Sequence, residues 1–195
     1  MSESNGLPRG WAEATLGALL HRIEGGTSFK CLTRMAGREE WGVIKVSAMT
    51  WGTFLEDEQK ALPPKTVFDP VAEIKPGDLL ISRCNTVELV GACVLVGACR
   101  RRLLLSDKSL RLVVAEAIDR KWLQKIMSSQ VVRQQMSDVA TGSSNSMRNI
   151  SQDKINAVRF PLAPSPNSTA SLRRLRNSST TLMRGSPACS EPRRI

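Results

Sequence analysis

The sequence has no tyrosine, a single histidine and an aromatic content of only 4% over 195 residues. Proteins that bind single-stranded nucleic acid depend on aromatic side chains for base stacking, so this composition argues against that class. With only His21 and no Cys-x-x-Cys pair among five cysteines, the chain lacks the usual ligand spacing of a zinc site. No apolar run reaches the ~20 residues that span a bilayer, and the N-terminus lacks the pattern of a signal peptide. We therefore expect a cytoplasmic protein without membrane association.

The common catalytic signatures are also missing. The chain contains no GxxxxGK[ST] phosphate loop, no GxGxxG, no HExxH and no GxSxG. The Asn/Asp-Pro-Pro-aromatic motif of adenine methyltransferases is absent as well, because Lys65 follows Pro63-Pro64. We expect this chain to catalyse neither nucleotide hydrolysis nor methyl transfer, and to bind no cofactor of its own.

Positive charge, by contrast, is abundant. The 28 Lys and Arg residues exceed the 18 Asp and Glu residues, which gives a net charge of +10 and a pI near 10.0. Such an excess is typical of proteins that bind polyanions. Residues 163–195 hold 6 Arg and 1 Glu together with ten Ser or Thr and four Pro, so we expect 163–195 to be a disordered basic tail.

The apolar patterns of residues 1–162 predict an α+β domain with a mixed or antiparallel sheet. A helix capped by Thr15 is predicted from the spacing of Leu16, Leu19, Leu20 and Ile23. A longer helix, capped by Asp119 and running to about Asp138, is predicted from an apolar face that includes Leu123 and Val131. Strands are predicted at 41–47, 78–84, 89–97, 110–114 and 157–162, and long loops at 25–40 and 140–151.

Several polar residues of these loops have the chemistry of base and phosphate recognition. Arg, Lys and Asn make bidentate contacts with base edges in the major groove, and Ser and Thr hydroxyls hold phosphates. Each residue alone is more typical of a solvated surface, but four loops that converge at one sheet edge would form a DNA-reading surface. The candidates are Lys30, Arg34, Lys45, Ser47, Arg83, Asn85, Arg148 and Asn149. We expect Trp41 and Trp51 to pack in the core instead.

An alternative is a small Mg²⁺-dependent nuclease. Glu73-Ile74-Lys75, with Asp57 upstream, has the carboxylate-x-Lys form that many metal-dependent nucleases use. The same residues are explained as solvent-facing side chains that flank a turn at 75–78, with Ile74 directed inward. Glu73→Ala separates the two, because only an enzyme loses Mg²⁺-dependent cleavage.

The order of these segments resembles one target recognition domain of the DNA-specificity subunits of type I restriction–modification systems. The resemblance covers about residues 7–164, and its most specific parts are GDLLISR and the ATGS…NI…I…FPLAP ending. The matching segments are LPRGWAEATLGALL, the GG-T loop at Gly25–Thr27, WGVIKVSAMTWGTF, EIKPGDLLISRCN, VGACVLV, SLRLVV and ATGSSNSMRNISQDKINAVRFPLAP.

The resemblance implies a non-catalytic module that reads one half of a split double-stranded DNA target. It further implies a methyltransferase subunit as partner, which binds S-adenosylmethionine, and in some systems a restriction subunit. In that family a long helix follows the recognition domain, whereas here 163–195 is rich in proline and serine. We hypothesise a frameshift near 164–167, which an amphipathic helix in another reading frame of the coding DNA would support; a non-functional truncated remnant is the remaining alternative.

Overall fold

The computed structural model describes residues 8–9 and 11–162. Twelve strands lie in these residues: β1 (Ala12–Thr15), β2 (Leu20–Gly25), β3 (Gly42–Ile44), β4 (Gln59–Ala61), β5 (Leu79–Ser82), β6 (Cys84–Asn85), β7 (Cys93–Leu95), β8 (Leu103–Leu104), β9 (Ser109–Val114), β10 (Thr141–Ser144), β11 (Met147–Asn149) and β12 (Arg159–Leu162). The α-helices are α1 (Arg120–Met127), α2 (Gln130–Val139) and α3 (Gln152–Asn156). The predicted tail at 163–195 lies outside the described residues.

The main sheet has the order β2-β9-β5-β7 and is antiparallel throughout. Successive side chains of a strand point to opposite faces, and β5 shows the consequence. Leu79 and Ile81 pack into the larger core with α1 and α2, whereas Leu80 packs into a second core on the other face. The sheet is therefore covered on both sides, which explains why all four residues of β5 are buried.

The second core is closed by a three-stranded sheet of order β4-β3-β8, in which β3 runs antiparallel to β4 and parallel to β8. Two smaller antiparallel groups complete the fold, namely β1 with β12 and the ladder β10-β11-β6. The predicted α+β class with a mixed sheet is confirmed.

The predicted helix at 16–23 is wrong. Leu16–Leu19 forms a single 3₁₀ turn, and Leu20–Gly25 is the edge strand β2, paired with β9. The register of this pair shifts between Leu20 and Arg22. Because the irregularity inserts an extra residue, Leu20 and Ile23 both pack against the core although they are three residues apart. Their spacing therefore imitates the period of a helix.

The predicted helix at 119–138 is present but divided. Asp119 caps α1, since its Oδ1 accepts the backbone N–H groups of Lys121 and Trp122 at 2.7 and 3.2 Å. The chain leaves the helical conformation at Ser129 and α2 begins at Gln130. The break changes the phase of the apolar face, so Val132 is buried and Val131, which an unbroken helix would bury, is 63% exposed.

Two further predictions need correction. The segment 140–151, predicted to be a loop, contains the β10–β11 hairpin. The predicted strand at 41–47 is shorter, because β3 ends at Ile44 and Val46–Met49 forms a 3₁₀ turn.

Trp41 packs against Phe68 with ring centroids 4.6 Å apart, as expected, but Trp51 is 72% exposed instead of buried. Within the described part of the chain, no helix is long and apolar enough to cross a membrane.

Candidate nucleic-acid interface

Two of the predicted base-reading residues lie opposite each other on β6 and β11. These strands pair antiparallel, with Asn85 opposite Arg148 and Cys84 opposite Asn149. Side chains at directly opposite positions project from the same face of a sheet. Asn85 and Arg148 therefore share one face, and Asn149 is directed to the other. The sequence placed these residues in two separate loops, about sixty positions apart, and the strand pair brings them together.

Both side chains on the shared face keep an unused hydrogen-bond donor. Thr86 N–H donates to Asn85 Oδ1 at 2.9 Å, but the buried Asn85 Nδ2 has no acceptor among the described residues. Arg148 Nη1 donates to the Gly142 carbonyl at 3.4 Å, while its buried Nε also lacks an acceptor within the described part of the chain. Unpaired buried donors are rare in native proteins, because each costs about 1–3 kcal/mol. Both atoms are themselves buried, so a ligand would meet the more exposed parts of these two half-buried side chains.

Arg83 connects this ladder to the main sheet. Its backbone N–H donates to the Lys108 carbonyl at 3.0 Å, and its carbonyl accepts the N–H of Ile150 at 2.9 Å. These bonds fix the chain between β5 and β6 and hold the end of β11 beside it. The half-buried Arg83 is thus placed next to both the Asn85–Arg148 face and the turn that carries Lys108.

A cleft of about 210 Å³ lies beside that turn, and three lysines contribute to its wall. We call it the lysine cleft. Lys45 follows β3, Lys60 lies in β4 and Lys108 lies in the turn between β8 and β9. The remaining lining includes Val43 and Ile44 on the apolar side and Thr27, Ser28, Phe29, Cys31, Val46, Ser106 and Asp107 around the rim. The lysine cleft is therefore a basic pocket with hydroxyl groups at its edge.

Glu58 holds two of the predicted site residues beside this cleft. Lys45 Nζ lies 2.7 Å from Glu58 Oε2, and Ser47 Oγ donates to the same oxygen. The hydrogen bonds from Lys45 and Ser47 lower the pKa of the Glu58 carboxyl below its usual range. Glu58 is therefore ionised at neutral pH and partly neutralises Lys45.

The remaining predicted residues lie elsewhere. Arg34 forms a bidentate ion pair with Glu40, with nitrogen–oxygen distances of 2.5 and 2.6 Å. These hydrogen bonds, with that of the Gly37 N–H, lower the pKa of Glu40 to about 2. The Arg34 guanidinium is therefore already paired within its own loop. Lys30 is exposed between Phe29 and Cys31, which line the lysine cleft.

Lys60 and Lys108 were missed by the sequence analysis. A signal for each exists in the local pattern. Lys60 is the exposed residue between the buried Gln59 and Ala61, and Lys108 occupies a polar turn directly before a predicted strand. Their proximity to Lys45 depends on the pairing of β3 with both β4 and β8, which the sequence alone does not reveal.

The residues of the nuclease alternative have structural contacts. The Glu73 carboxylate accepts the backbone N–H of Arg102 at 2.8 Å, and Ile74 is buried as expected for the turn explanation. Lys75 N–H donates to Asp78 Oδ2 at 2.9 Å within that turn. No group of three or more His, Cys, Asp or Glu side chains in the described residues is arranged to hold a metal ion. No observation favours the nuclease alternative.

The cysteines of the described chain are free. Cys84 and Cys93 are buried, and burial raises the pKa of the Cys93 thiol to about 12. Cys99 is only partly buried, and Cys189 lies outside the described residues. His21 lies on strand β2, and its Nε2 is 2.9 Å from Glu116 Oε2.

Comparison with known proteins gives a consistent set of relatives. Over 160 residues the chain is 29% identical to the specificity subunit of the type I restriction enzyme EcoEI from Escherichia coli. This match covers 81% of the chain but only 27% of the relative, so the chain spans about a quarter of that protein's length. No family model matches the chain.

The fold is similar to that of solved type I restriction–modification proteins. A subunit from a structure of an assembled type I system matches with a TM-score of 0.52 and 18% identity, over 92% of this chain and 41% of the other. The HsdS subunit from Thermoanaerobacter tengcongensis matches with a TM-score of 0.52 and 17% identity, over 92% of this chain and 40% of the other. The resemblance to a single recognition domain of a specificity subunit is confirmed.

Proposed function

We propose that this chain recognises a specific sequence of double-stranded DNA as one recognition module of a type I restriction–modification system. The similarity to specificity subunits supports the class of function. The observation that carries the proposal is the Asn85–Arg148 pair, which places two side chains with base-reading chemistry on one face of neighbouring strands. Asparagine and arginine are the residues that pair bidentately with adenine and guanine edges in the major groove.

One of the two strands that carry this pair, β11, belongs to a hairpin whose shape suits such a reading mode. A two-stranded β-ribbon fits into the major groove, which is about 12 Å wide. The β10–β11 hairpin is such a ribbon, and its exposed tip consists of Ser144, Asn145 and Ser146. In the proposed complex this ribbon enters the groove, and Asn85 and Arg148 contact base edges at its base. Arg83 and Lys108, which adjoin the ladder, lie beside the phosphate backbone.

The chemistry of modification belongs to other subunits in this proposal. The recognition module is non-catalytic and holds no cofactor, and a methyltransferase partner binds S-adenosylmethionine and transfers the methyl group. A restriction subunit joins in those systems that cleave DNA. In this proposal the module acts in the cytoplasm.

The test is selection of the purified 195-residue chain against a randomised duplex pool at physiological salt, with sequencing of the bound fraction. A specific reader enriches a short motif, because nonspecific electrostatic binding leaves the pool unenriched. Lys125→Gln on α1 is the matched control and should enrich the same motif. A flat pool from a chain with a cooperative unfolding transition would overturn the proposal and favour a non-functional remnant.

A further inference from the structure

The lysine cleft brings together like charges that come from distant parts of the chain. Lys45, Lys60 and Lys108 stand on three different elements, and the pairing of β3 with β4 and β8 gathers them around one cleft. Like charges at close range oppose folding unless counter-charges or a ligand compensate for them. Glu58 and Asp107 supply two negative charges there against three positive ones. One positive charge is left for an anion.

The chemistry of the lining fits a phosphate group. Ammonium groups are compact point charges that bind phosphate, and the hydroxyls of Thr27 and Ser28 at the rim add hydrogen-bond donors. Val43 lies opposite Lys60 on the paired strands β3 and β4, so its apolar side chain flanks the lysine ammonium groups and reduces screening by water there.

A second cleft provides a contrast. It measures about 470 Å³ and contains Arg38, Arg101 and Arg102. There the Arg102 guanidinium donates to Glu39 Oε2 at 2.6 Å, and the backbone N–H of Arg102 donates to Glu73. Both the side chain and the backbone N–H of Arg102 therefore already have protein partners. By the same count the three arginines and two glutamates of the second cleft also leave one positive charge, so the lysine cleft differs in holding that charge in less than half the volume.

The position of the lysine cleft indicates that the phosphate it binds belongs to DNA. The Lys108 carbonyl accepts the N–H of Arg83, and Asn85 follows two residues later, about 7 Å along an extended chain. The turn that carries Lys108 is therefore hydrogen-bonded to the chain that leads into β6. In the proposed complex a duplex seated on the face of Asn85 and Arg148 passes this turn.

We propose that the lysine cleft binds a backbone phosphate of double-stranded DNA and fixes the position of the duplex against the β6–β11 ladder. This inference rests on the proposed function for the placement of the duplex. The phosphate contact carries no sequence information, so the lysine cleft sets affinity and register while Asn85 and Arg148 set the sequence.

The experiment measures the salt dependence of binding of the full 195-residue chain to a random-sequence duplex. The variants are Lys45→Gln, Lys60→Gln, Lys108→Gln and the triple substitution, and the matched controls are Lys121→Gln and Lys125→Gln on α1. Each phosphate contact that is lost lowers the slope of log K against log [salt] by about 0.9. We expect a drop of about that size in the variants that remove a contact, no drop in the controls, and an unchanged selected motif. Thermal unfolding verifies that every variant is folded.

The failure of this inference can be distinguished from the failure of the proposed function. If the folded triple variant keeps the wild-type salt slope on duplex DNA while wild-type chain enriches a motif, the lysine cleft is not a phosphate site and the reading function stands. If the triple variant loses affinity for inorganic phosphate or adenosine monophosphate but none for the duplex, the cleft takes a free anion and the inference is overturned. If the lysine variants lower the slope while the wild-type pool stays flat, the phosphate site stands and the sequence-reading function fails.

Discussion

Asn85 and Arg148 occupy directly opposite positions on β6 and β11, and each has a buried side-chain N–H group for which the described residues offer no acceptor. A purely structural polar pair would be expected to satisfy these donors, because leaving them unpaired costs stability. Because both N–H groups are buried, base edges of DNA would be contacted by the more exposed parts of these half-buried side chains. The ladder holds both residues in position before the ligand arrives, which lowers the entropic cost of binding.

Replacing either residue should therefore affect recognition more than folding. Arg148→Ala should weaken binding to the selected motif by about 1–3 kcal/mol and relax the preference at one base pair, with little change in the free energy of unfolding. Arg148→Lys should not restore the preference, because lysine lacks the planar fork. Fluorescence anisotropy on the motif and its single-base variants measures this, with Arg101→Ala as control. An equal loss on every sequence would contradict a base-reading role for Arg148.

Gly142 determines how closely β10 approaches β11. A Cβ atom at this position would collide with the Met147 carbonyl and come within 3.2 Å of Arg148 Cα. Gly142→Ala should thus displace the hairpin and reduce specific binding while leaving the two main cores intact. Gly97→Ala is the control, because a Cβ there meets no atom within 4 Å. Specific binding by Gly142→Ala at wild-type affinity would show that the hairpin does not position the reading face.

The sequence predicts the buried strands well because their signal is local. Leu79–Ser82 and Ser109–Val114 are apolar runs next to turn residues, and both are strands in the main sheet. The errors arise where long-range pairing decides. The bulge in β2 gives Leu20 and Ile23 a helical spacing, and the polar segment Thr141–Asn149 becomes a hairpin because β6 offers it a partner.

The candidate site shows the same difference between what local sequence predicts and what long-range pairing decides. Residue chemistry nominates Lys45, Asn85 and Arg148 as candidates. Their grouping is not predictable, because β6 meets β11 from more than sixty residues away and Lys108 reaches Lys45 only through the parallel β3–β8 pair. Arg34 has the right chemistry too, but its ion pair with Glu40 depends on the path of a loop without repetitive structure.

Glu58 should restrain nonspecific binding. Its carboxylate pairs with Lys45 and accepts the Ser47 hydroxyl, so both donors become available to a phosphate when the charge is removed. We expect Glu58→Gln to tighten binding to random-sequence duplex several-fold at low salt and to steepen the salt slope. Glu39→Gln, which also removes an exposed carboxylate from an ion pair, is the control. Unchanged or weaker binding by a folded Glu58→Gln variant would exclude this role.

Arg111 joins the main sheet to the turn before β5. Its side chain is 11% exposed, Nη1 donates to Glu24 Oε2 at 2.8 Å and Nε donates to Asp78 Oδ2 at 2.9 Å. Arg111→Met leaves two mostly buried carboxylates without their partner and should lower the free energy of unfolding by about 2–4 kcal/mol. Arg22→Met, which also removes a partner of Glu24 but is 63% exposed, should cost less than about 1 kcal/mol. Equal losses in urea unfolding would show that burial does not distinguish the two pairs.

The Glu24 carboxylate makes the stability of the fold depend on pH in the acid range. Burial alone would raise the pKa of Glu24, but the hydrogen bonds and charges of Arg111 and Arg22 outweigh it and lower the pKa below the usual value. The unfolded chain then binds more protons than the folded chain between the two pKa values, so the contribution is complete above about pH 5 and is lost as the pH falls through the folded value. Urea unfolding from pH 7 to pH 3 should show this decline, and Glu24→Gln should make it shallower while lowering stability at pH 7. Glu116→Gln, at the 88% exposed partner of His21, should change the decline less, because water screens that pair. A Glu24→Gln variant with the wild-type pH profile would mean that Glu24 is not a source of the acid sensitivity.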